Sequence, residues 1–216
     1  MIKKNLLNIA LSLLLSFLIF YLSLSNSWHF FWGSLSIPAQ EPFSDLKAHI
    51  HFYNCFIDGI NIYTQPCELI PLGNANISTH PEIWLKIVHF LNLNNSVVYN
   101  VFILTILTIY FFSLIKIYSN SISLKSKIFF FIFFLSTTNF ILLERFATDI
   151  LIFILIFFIL NFNNKIIKGF LIFIGILLKY YPIFLTSIFL KNKKYLLFFS
   201  SFFILFVFFI YLDQLK

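Results

Sequence analysis

The sequence predicts an all-α protein, a polytopic transmembrane helical bundle of about 5–7 membrane segments, some of them short or re-entrant. Composition is the first observation: 60% of the 216 residues are hydrophobic and 11% are charged, whereas soluble domains have about a quarter charged. The second is that the apolar residues form long runs, and about 20 in succession cross ~30 Å of hydrocarbon as a helix.

The first predicted span is 6–24, which follows two lysines near the N-terminus. A cleaved signal peptide is the alternative, because a basic start and the small-x-small sequence at 23–25 also suit one. We favour a retained span, since Trp28 and Trp32 follow it in the manner of an interfacial aromatic belt.

The remaining apolar runs divide into long and short ones. Full spans are predicted at 97–115, 127–143 and 195–212. The runs 150–160 and 166–178 are short, which indicates tilted, broken or re-entrant helices packed against protein. The chain thus divides into a first transmembrane helix (1–24), an external, periplasmic loop (25–95) and a helical bundle (96–216) that we expect to be incomplete at its C-terminus.

The lysines predict the orientation, since cytoplasmic loops retain Lys and Arg. If the spans alternate and 166–190 forms a hairpin, one side receives Lys3, Lys4, Lys116, Lys125, Lys127, Lys165, Lys168, Lys191, Lys193 and Lys194. The other side receives all eight acidic residues. We therefore predict a multi-pass protein of the bacterial inner membrane with a cytoplasmic N-terminus. Topology then explains the net charge of +7, and no nucleic acid partner is predicted.

The external loop is long enough to be functional, and it contains all five histidines and both cysteines. An amphipathic interfacial helix is predicted from a Ser44 cap to an Asp58-Gly59 stop, with Asp45 in its first turn. Its predicted apolar face consists of Leu46, Ile50, Tyr53 and Ile57.

Metal binding and cofactors are not predicted. His49 and His51 are two residues apart, so on a helix their side chains diverge. Cys55 and Cys67 share the external loop, where an oxidising compartment permits a disulfide. Their separation in sequence does not give their distance in space, so the disulfide remains open.

Lys179 lies inside an apolar run, directly before Tyr180 and Pro182. Proline disfavours helix at the residue before it, so a hairpin apex at 179–182 is predicted. Snorkelling to the headgroups is one interpretation of Lys179, and a functional intramembrane charge is the other. Its predicted neighbours are two i,i+4 pairs that would share helix faces, Glu144 with Thr148 and Arg145 with Asp149.

These motifs together resemble the GT-C superfamily, and in particular the polyprenol-phosphate-dependent mannosyltransferase-like membrane proteins. The resemblance rests on Asp45, "DGINIY" at 58–63, "STHPEIW" at 78–84, "ERFATD" at 144–149 and "GILLKYYP" at 175–182. The motifs occur in the expected order over most of the chain, and the "ER" and "KYYP" motifs are its most specific part.

The resemblance implies an integral membrane glycosyltransferase that moves a sugar from a polyprenyl-phosphate donor to an acceptor at the outer face. Such transfer needs a carboxylate base and cations for the phosphate. The implied catalytic base is Asp45, with Asp58 as the second choice. The implied substrate-binding residues are Arg145 and Lys179 on the phosphate, Glu144 orienting Arg145, and Asp149, Tyr180 and His80.

The implied partners are membrane lipids, a polyprenyl-phosphate sugar, and a glycan, lipid or protein acceptor. Because members of such families are commonly longer, a second polypeptide completing the bundle is a further expected partner. Two alternatives stay open: a lipid-linked saccharide transporter, and an inactive fragment or accessory subunit of such an enzyme.

Overall fold

All regular structure in the described part of the chain is helical, which confirms the predicted all-α class there. The computed structural model describes residues 2–35, 37, 41–67, 82–120, 123–179, 201 and 204. The helices are α1 (Ile2–Leu24), α2 (Ser27–Ser34), α3 (Ser44–Ile57), α4 (Ile83–Leu91), α5 (Ser96–Asn120), α6 (Leu124–Phe134), α7 (Thr137–Arg145), α8 (Asp149–Asn161) and α9 (Lys165–Leu178).

Two helices are long and apolar enough to cross a membrane, Asn5–Leu24 and Ser96–Asn120. They correspond to the predicted spans at 6–24 and 97–115. With the bent pair α6 and α7 counted as one span, the described residues hold up to three. The predicted 5–7 segments therefore stay a prediction, and the predicted span at 195–212 lies almost wholly outside the described residues.

The predicted third span, 127–143, is wrong as a single straight helix. It divides into α6 and α7, which are bent by 48°. The Ser136 hydroxyl accepts a hydrogen bond from the backbone N–H of Asn139 at 3.2 Å, so it caps α7. The Asn139 side chain in turn donates to the Phe134 carbonyl at 3.0 Å. Short polar side chains that bind backbone groups compete with the helical ladder, which explains the break.

The two long helices pack against each other in antiparallel orientation. A buried stripe of small and polar residues runs along α1 at helical spacing, formed by Asn8, Ser12 and Ser16, and small side chains let membrane helices approach closely. Lys116, near the end of α5, donates to the Asn5 side chain at the start of α1 at 3.0 Å. The lysine-bearing ends of the two helices therefore lie together, and the described part of 25–95 joins their opposite ends.

Helix α3 ends as predicted and begins one residue earlier than predicted. Phe43 occupies the N-cap position and Ser44 is the first helical residue, so the predicted Ser44 cap is wrong. At the C-terminus, Ile60 N–H donates to the Cys55 carbonyl and Gly59 N–H to the Phe56 carbonyl. This is a Schellman motif. Gly59 has φ +82°, the left-handed conformation that glycine adopts without strain.

The buried face of α3 differs from the predicted apolar face. Leu46, His49, Phe52 and Cys55 are buried, whereas Ile57 is 61% exposed. The face of α3 that packs into the protein core is therefore largely different from the predicted apolar face, of which only Leu46 is fully buried. The reason is that α3 packs on α2, on α7 and on the segment that carries Cys67. The helical period of the sequence alone does not show these contacts.

A small core outside the long helices includes a disulfide between Cys55 and Cys67, whose Cα atoms are 6.1 Å apart. That distance is usual for a disulfide. Phe52, Ile62 and Leu85 are the other buried residues of this core. The two cysteines, whose pairing the sequence left open, therefore form a disulfide. The bond joins the segment after α3 to the helix.

The chain divides into two compact units, Met1–Thr79 with Leu85–Leu151, and His80–Trp84 with Ile152–Lys216. In the second, α9 starts at an Asn164 cap, whose side chain accepts the Ile166 N–H at 2.8 Å. It ends at Leu178, after which Lys179 is extended (φ −155°, ψ 148°). A continuous helix across 166–190 is therefore excluded. The rest of the predicted apex, 180–182, lies outside the described residues.

Candidate functional site

The start of α3 is fixed to the end of α7 by a short junction. The Phe43 N–H donates to the Glu144 carbonyl at 3.1 Å. Phe43 and Phe146 both have left-handed backbones, with φ 58° and 54°, and their rings lie 5.8 Å apart. A bulky residue rarely adopts this conformation, because it costs about 1–3 kcal/mol. The surrounding structure holds two such residues in contact, next to the predicted site residues.

Aromatic packing stabilises this junction. The rings of Trp28 and Phe43 are 5.4 Å apart, as are those of Trp28 and Trp32. Both tryptophans are almost fully buried, at 1% and 0% exposure. The predicted interfacial belt is therefore wrong for these two residues, because they lie on the short helix α2 and fill the core beside α3.

Glu144 and Arg145 form an ion pair at the end of α7. The Arg145 Nε lies 3.7 Å from the Glu144 Oε2, and the side chains are 37% and 0% exposed. This separation exceeds hydrogen-bonding distance. A buried carboxylate needs a cation nearby, and Arg145 supplies one. The predicted role of Glu144 in orienting Arg145 stays a prediction. The Arg145 side chain is partly exposed, and a guanidinium can bind an anion through its N–H groups.

Asp45 lies in the first turn of α3, two residues after the junction residue Phe43. It is half-buried. Carboxylates are stabilised at a helix N-terminus by the helix dipole. Because α3 begins on the Glu144 carbonyl, the structure brings the predicted base into the neighbourhood of the Glu144 and Arg145 pair, from about a hundred positions away in sequence.

The predicted i,i+4 pairs are wrong, because no single helix contains their members. Helix α7 ends at Arg145, and α8 begins at Asp149. Between them the left-handed Phe146 breaks the helix, and the Ala147 N–H returns to the Leu142 carbonyl at 3.1 Å. Asp149 therefore starts a new helix.

Of the other predicted site residues, one lies at the far end of α3, one belongs to the second compact unit and two lie outside the described residues. Asp58 is exposed at the far end of α3, about 20 Å along the helix from Asp45. Lys179 follows α9 in the second compact unit. His80 and Tyr180 lie outside the described residues. The roles assigned to these four residues stay predictions.

Sequence reasoning missed an open, groove-like cavity of about 480 Å³ between α3 and the start of α5. Its polar lining consists of Lys47, His51, Asn54, Asn94, Ser96 and Tyr99, and Ile50 and Leu93 line it as well. The available signal was the polar set Lys47, His51 and Asn54, which recurs at i, i+4 and i+7 on α3. Nothing in the sequence showed that α5 would supply the opposite wall.

Within the described residues, no group of three or more His, Cys, Asp and Glu side chains is placed to hold a metal ion. Comparison of the chain with family models, with curated proteins and with solved structures finds no match. The candidate site is therefore defined by its own geometry.

Proposed function

We propose that the chain is an integral membrane glycosyltransferase that moves a sugar from a polyprenyl-phosphate donor to an acceptor at the outer face of a bacterial inner membrane. The observation that carries the proposal is the junction of α3 with α7. It joins the start of α3, which bears Asp45, to the end of α7, which bears the partly exposed Arg145 beside the buried Glu144 carboxylate.

The proposed chemistry is an inverting displacement. The Asp45 carboxylate takes the proton of an acceptor hydroxyl, whose oxygen attacks the anomeric carbon of the donor sugar. The bond between that carbon and the phosphate oxygen breaks, and polyprenyl phosphate leaves with the electron pair. Arg145 contacts the phosphate and stabilises its increasing charge. Lys179 keeps its predicted phosphate-binding role from the sequence alone.

One alternative function, transport of a lipid-linked saccharide, is less well supported. Transporters bind their substrates near the bilayer midplane, at broken helices. Asp45 and Arg145 instead lie at helix ends on the side to which the described part of 25–95 belongs. The break between α6 and α7 is a broken helix of this kind, but Ser136 and Asn139 there bond to the protein itself.

The proposed orientation places the N-terminus and the region around Lys125 in the cytoplasm, and 25–95 outside. The Cys55–Cys67 disulfide supports this, because cytosolic thiols are usually kept reduced.

Cysteine labelling checks this orientation. Both native cysteines are joined to each other, so an introduced cysteine is the sole thiol. His29→Cys is expected to react with a membrane-impermeant maleimide on intact cells, and Lys125→Cys only after permeabilisation, since both positions are exposed. The reverse pattern would place Asp45 and Arg145 on the cytoplasmic side and contradict the proposal.

Arg145→Ala is expected to weaken binding of a polyprenyl phosphate by about 10- to 150-fold, because it removes a charged hydrogen bond worth about 1.5–3 kcal/mol. The measurement is a titration of the purified chain in detergent. Removal of Arg145 alone takes a cation away from the buried Glu144 carboxylate and is expected to lower stability. The matched control is Glu144→Gln with Arg145→Ala, which removes both charges. Wild-type affinity in this double variant would exclude Arg145 from the phosphate site.

A further inference from the structure

The cavity between α3 and α5 has a two-sided lining. One wall is a single face of α3, with Lys47, His51 and Asn54 one and two turns apart. The other wall comes from the turn at Asn94 and the first turns of α5, including Tyr99. Its volume of about 480 Å³ is in the range of small-molecule sites. The cavity is thus large enough for a sugar ring.

The charge of the cavity is already balanced. Lys47 Nζ lies 3.3 Å from the Glu41 carboxylate, so its ammonium has a counter-ion. The remaining polar groups of the lining are an imidazole, amides and hydroxyls, and it includes no carboxylate. A site of this kind has little electrostatic attraction for a phosphate, and it offers several donors and acceptors to a neutral ligand.

The amide pair of the cavity is preformed. Asn94 Nδ2 donates to Asn54 Oδ1 at 3.0 Å, which joins the two walls and fixes both side chains. Each amide retains further hydrogen-bonding capacity. The apolar surfaces of Ile50 and Leu93 lie beside them. Fixed amides next to apolar surface suit a ligand whose hydroxyl groups alternate with C–H groups.

Tyr99 adds an observation that points to a ligand. Its hydroxyl is buried and makes no hydrogen bond with the residues that the structure describes. A buried hydroxyl without a partner is costly, and Tyr99 lines the cavity. The hydroxyl has almost no accessible surface, so a small shift of the Tyr99 ring toward the cavity would let a ligand hydroxyl supply the missing partner.

We infer that this cavity binds a neutral saccharide, as the site of a sugar ring of the acceptor, separate from the junction at Asp45 and Arg145. The separation follows from α3, because Asp45 and Lys47 are two residues apart and project in different directions. The role as acceptor site rests on the proposed function, whereas saccharide binding does not. The acceptor class would then be a glycan or glycolipid with an uncharged sugar at the binding end.

The test is a titration of the full chain with methyl α-mannoside, methyl β-glucoside and inorganic phosphate, followed by saturation-transfer NMR. The detergent should have a polyoxyethylene headgroup, because glucoside and maltoside detergents carry competing sugars. Saturable binding of a methyl glycoside is expected, without competition from phosphate. Saturation by neither glycoside, or displacement of the glycoside by phosphate, would overturn the inference.

Two variants and a control locate the binding. Tyr99→Phe is expected to weaken glycoside binding by about 2- to 10-fold, the loss of one hydrogen bond, without lowering the melting temperature of the ligand-free chain. Asn54→Ala is expected to weaken it at least as much. Thr64→Val, at an exposed position outside the cavity lining, should have no effect. Wild-type affinity in both Tyr99→Phe and Asn54→Ala would place the saccharide elsewhere.

Failure of this inference and failure of the proposed function are distinguishable. Glycoside binding by the cavity without any sugar transfer would support the saccharide site and remove the proposed activity. Sugar transfer with no binding of glycosides at the cavity would overturn the saccharide site and leave the activity.

Discussion

Asp45→Asn is expected to lower the rate of sugar transfer by about 10²–10⁴-fold, the usual contribution of general-base assistance. Asparagine keeps the size and hydrogen bonding of the side chain but cannot accept the proton of the acceptor hydroxyl. Arg145 and its Glu144 partner are unaltered in this variant, so affinity for a polyprenyl phosphate should remain close to that of the wild type. The measurement is the single-turnover rate at saturating donor, with donor affinity determined separately.

The matched control is Asp58→Asn. Asp58 is exposed and caps the far end of α3, so its substitution should leave transfer nearly unchanged. Both variants replace an aspartate with an asparagine. They differ only in where the residue lies, at the start or at the end of α3. Full activity in Asp45→Asn together with loss in Asp58→Asn would move the base to Asp58.

Removal of the disulfide with Cys55→Ala and Cys67→Ala is expected to lower the stability of the loop by about 3 kcal/mol. The bond joins residues 12 apart in sequence, and breaking it returns conformational freedom to the unfolded segment. Both cysteines are fully buried, so alanine is preferable to serine, which would bury hydroxyl groups. Hydrogen exchange over 58–67 measures the change in local opening.

Reduction of the wild-type chain is the control for this effect. A membrane-impermeant reductant should accelerate exchange over 58–67 in the wild type and have no effect on the double-alanine variant. Identical exchange in the wild type before and after reduction would show that the disulfide does not hold this segment.

The long elements could be predicted from the sequence because their signals are local. The spans 6–24 and 97–115 follow from apolar length alone, and the stop of α3 follows from Asp58-Gly59. The break at Ser136 was missed because hydropathy averages over single polar residues. Here the Ser136 hydroxyl and the Asn139 amide bind backbone groups. The series of helical backbone hydrogen bonds is interrupted at this point.

The arrangement of the candidate site could be predicted only in part, and the roles of its residues stay predictions. Resemblance placed Asp45 with Glu144 and Arg145, and the fold brings the helix ends that bear them together. The prediction that Arg145 and Asp149 share a helix face was wrong, because Phe146 has a left-handed backbone and ends the helix between them. The sequence gives no sign of this conformation, since bulky residues rarely adopt it. The faces of α3 were also misassigned, since burial there depends on α2, α7 and the disulfide segment.

The central claim is sugar transfer at the outer face, and the most direct measurement uses sealed right-side-out membrane vesicles supplied externally with radiolabelled polyprenyl-phosphate mannose and glucose. Vesicles that contain the chain are expected to move label from at least one donor to an acceptor of the outer face, and vesicles without the chain are not. Equal loss of label from both donors with and without the chain would contradict the account.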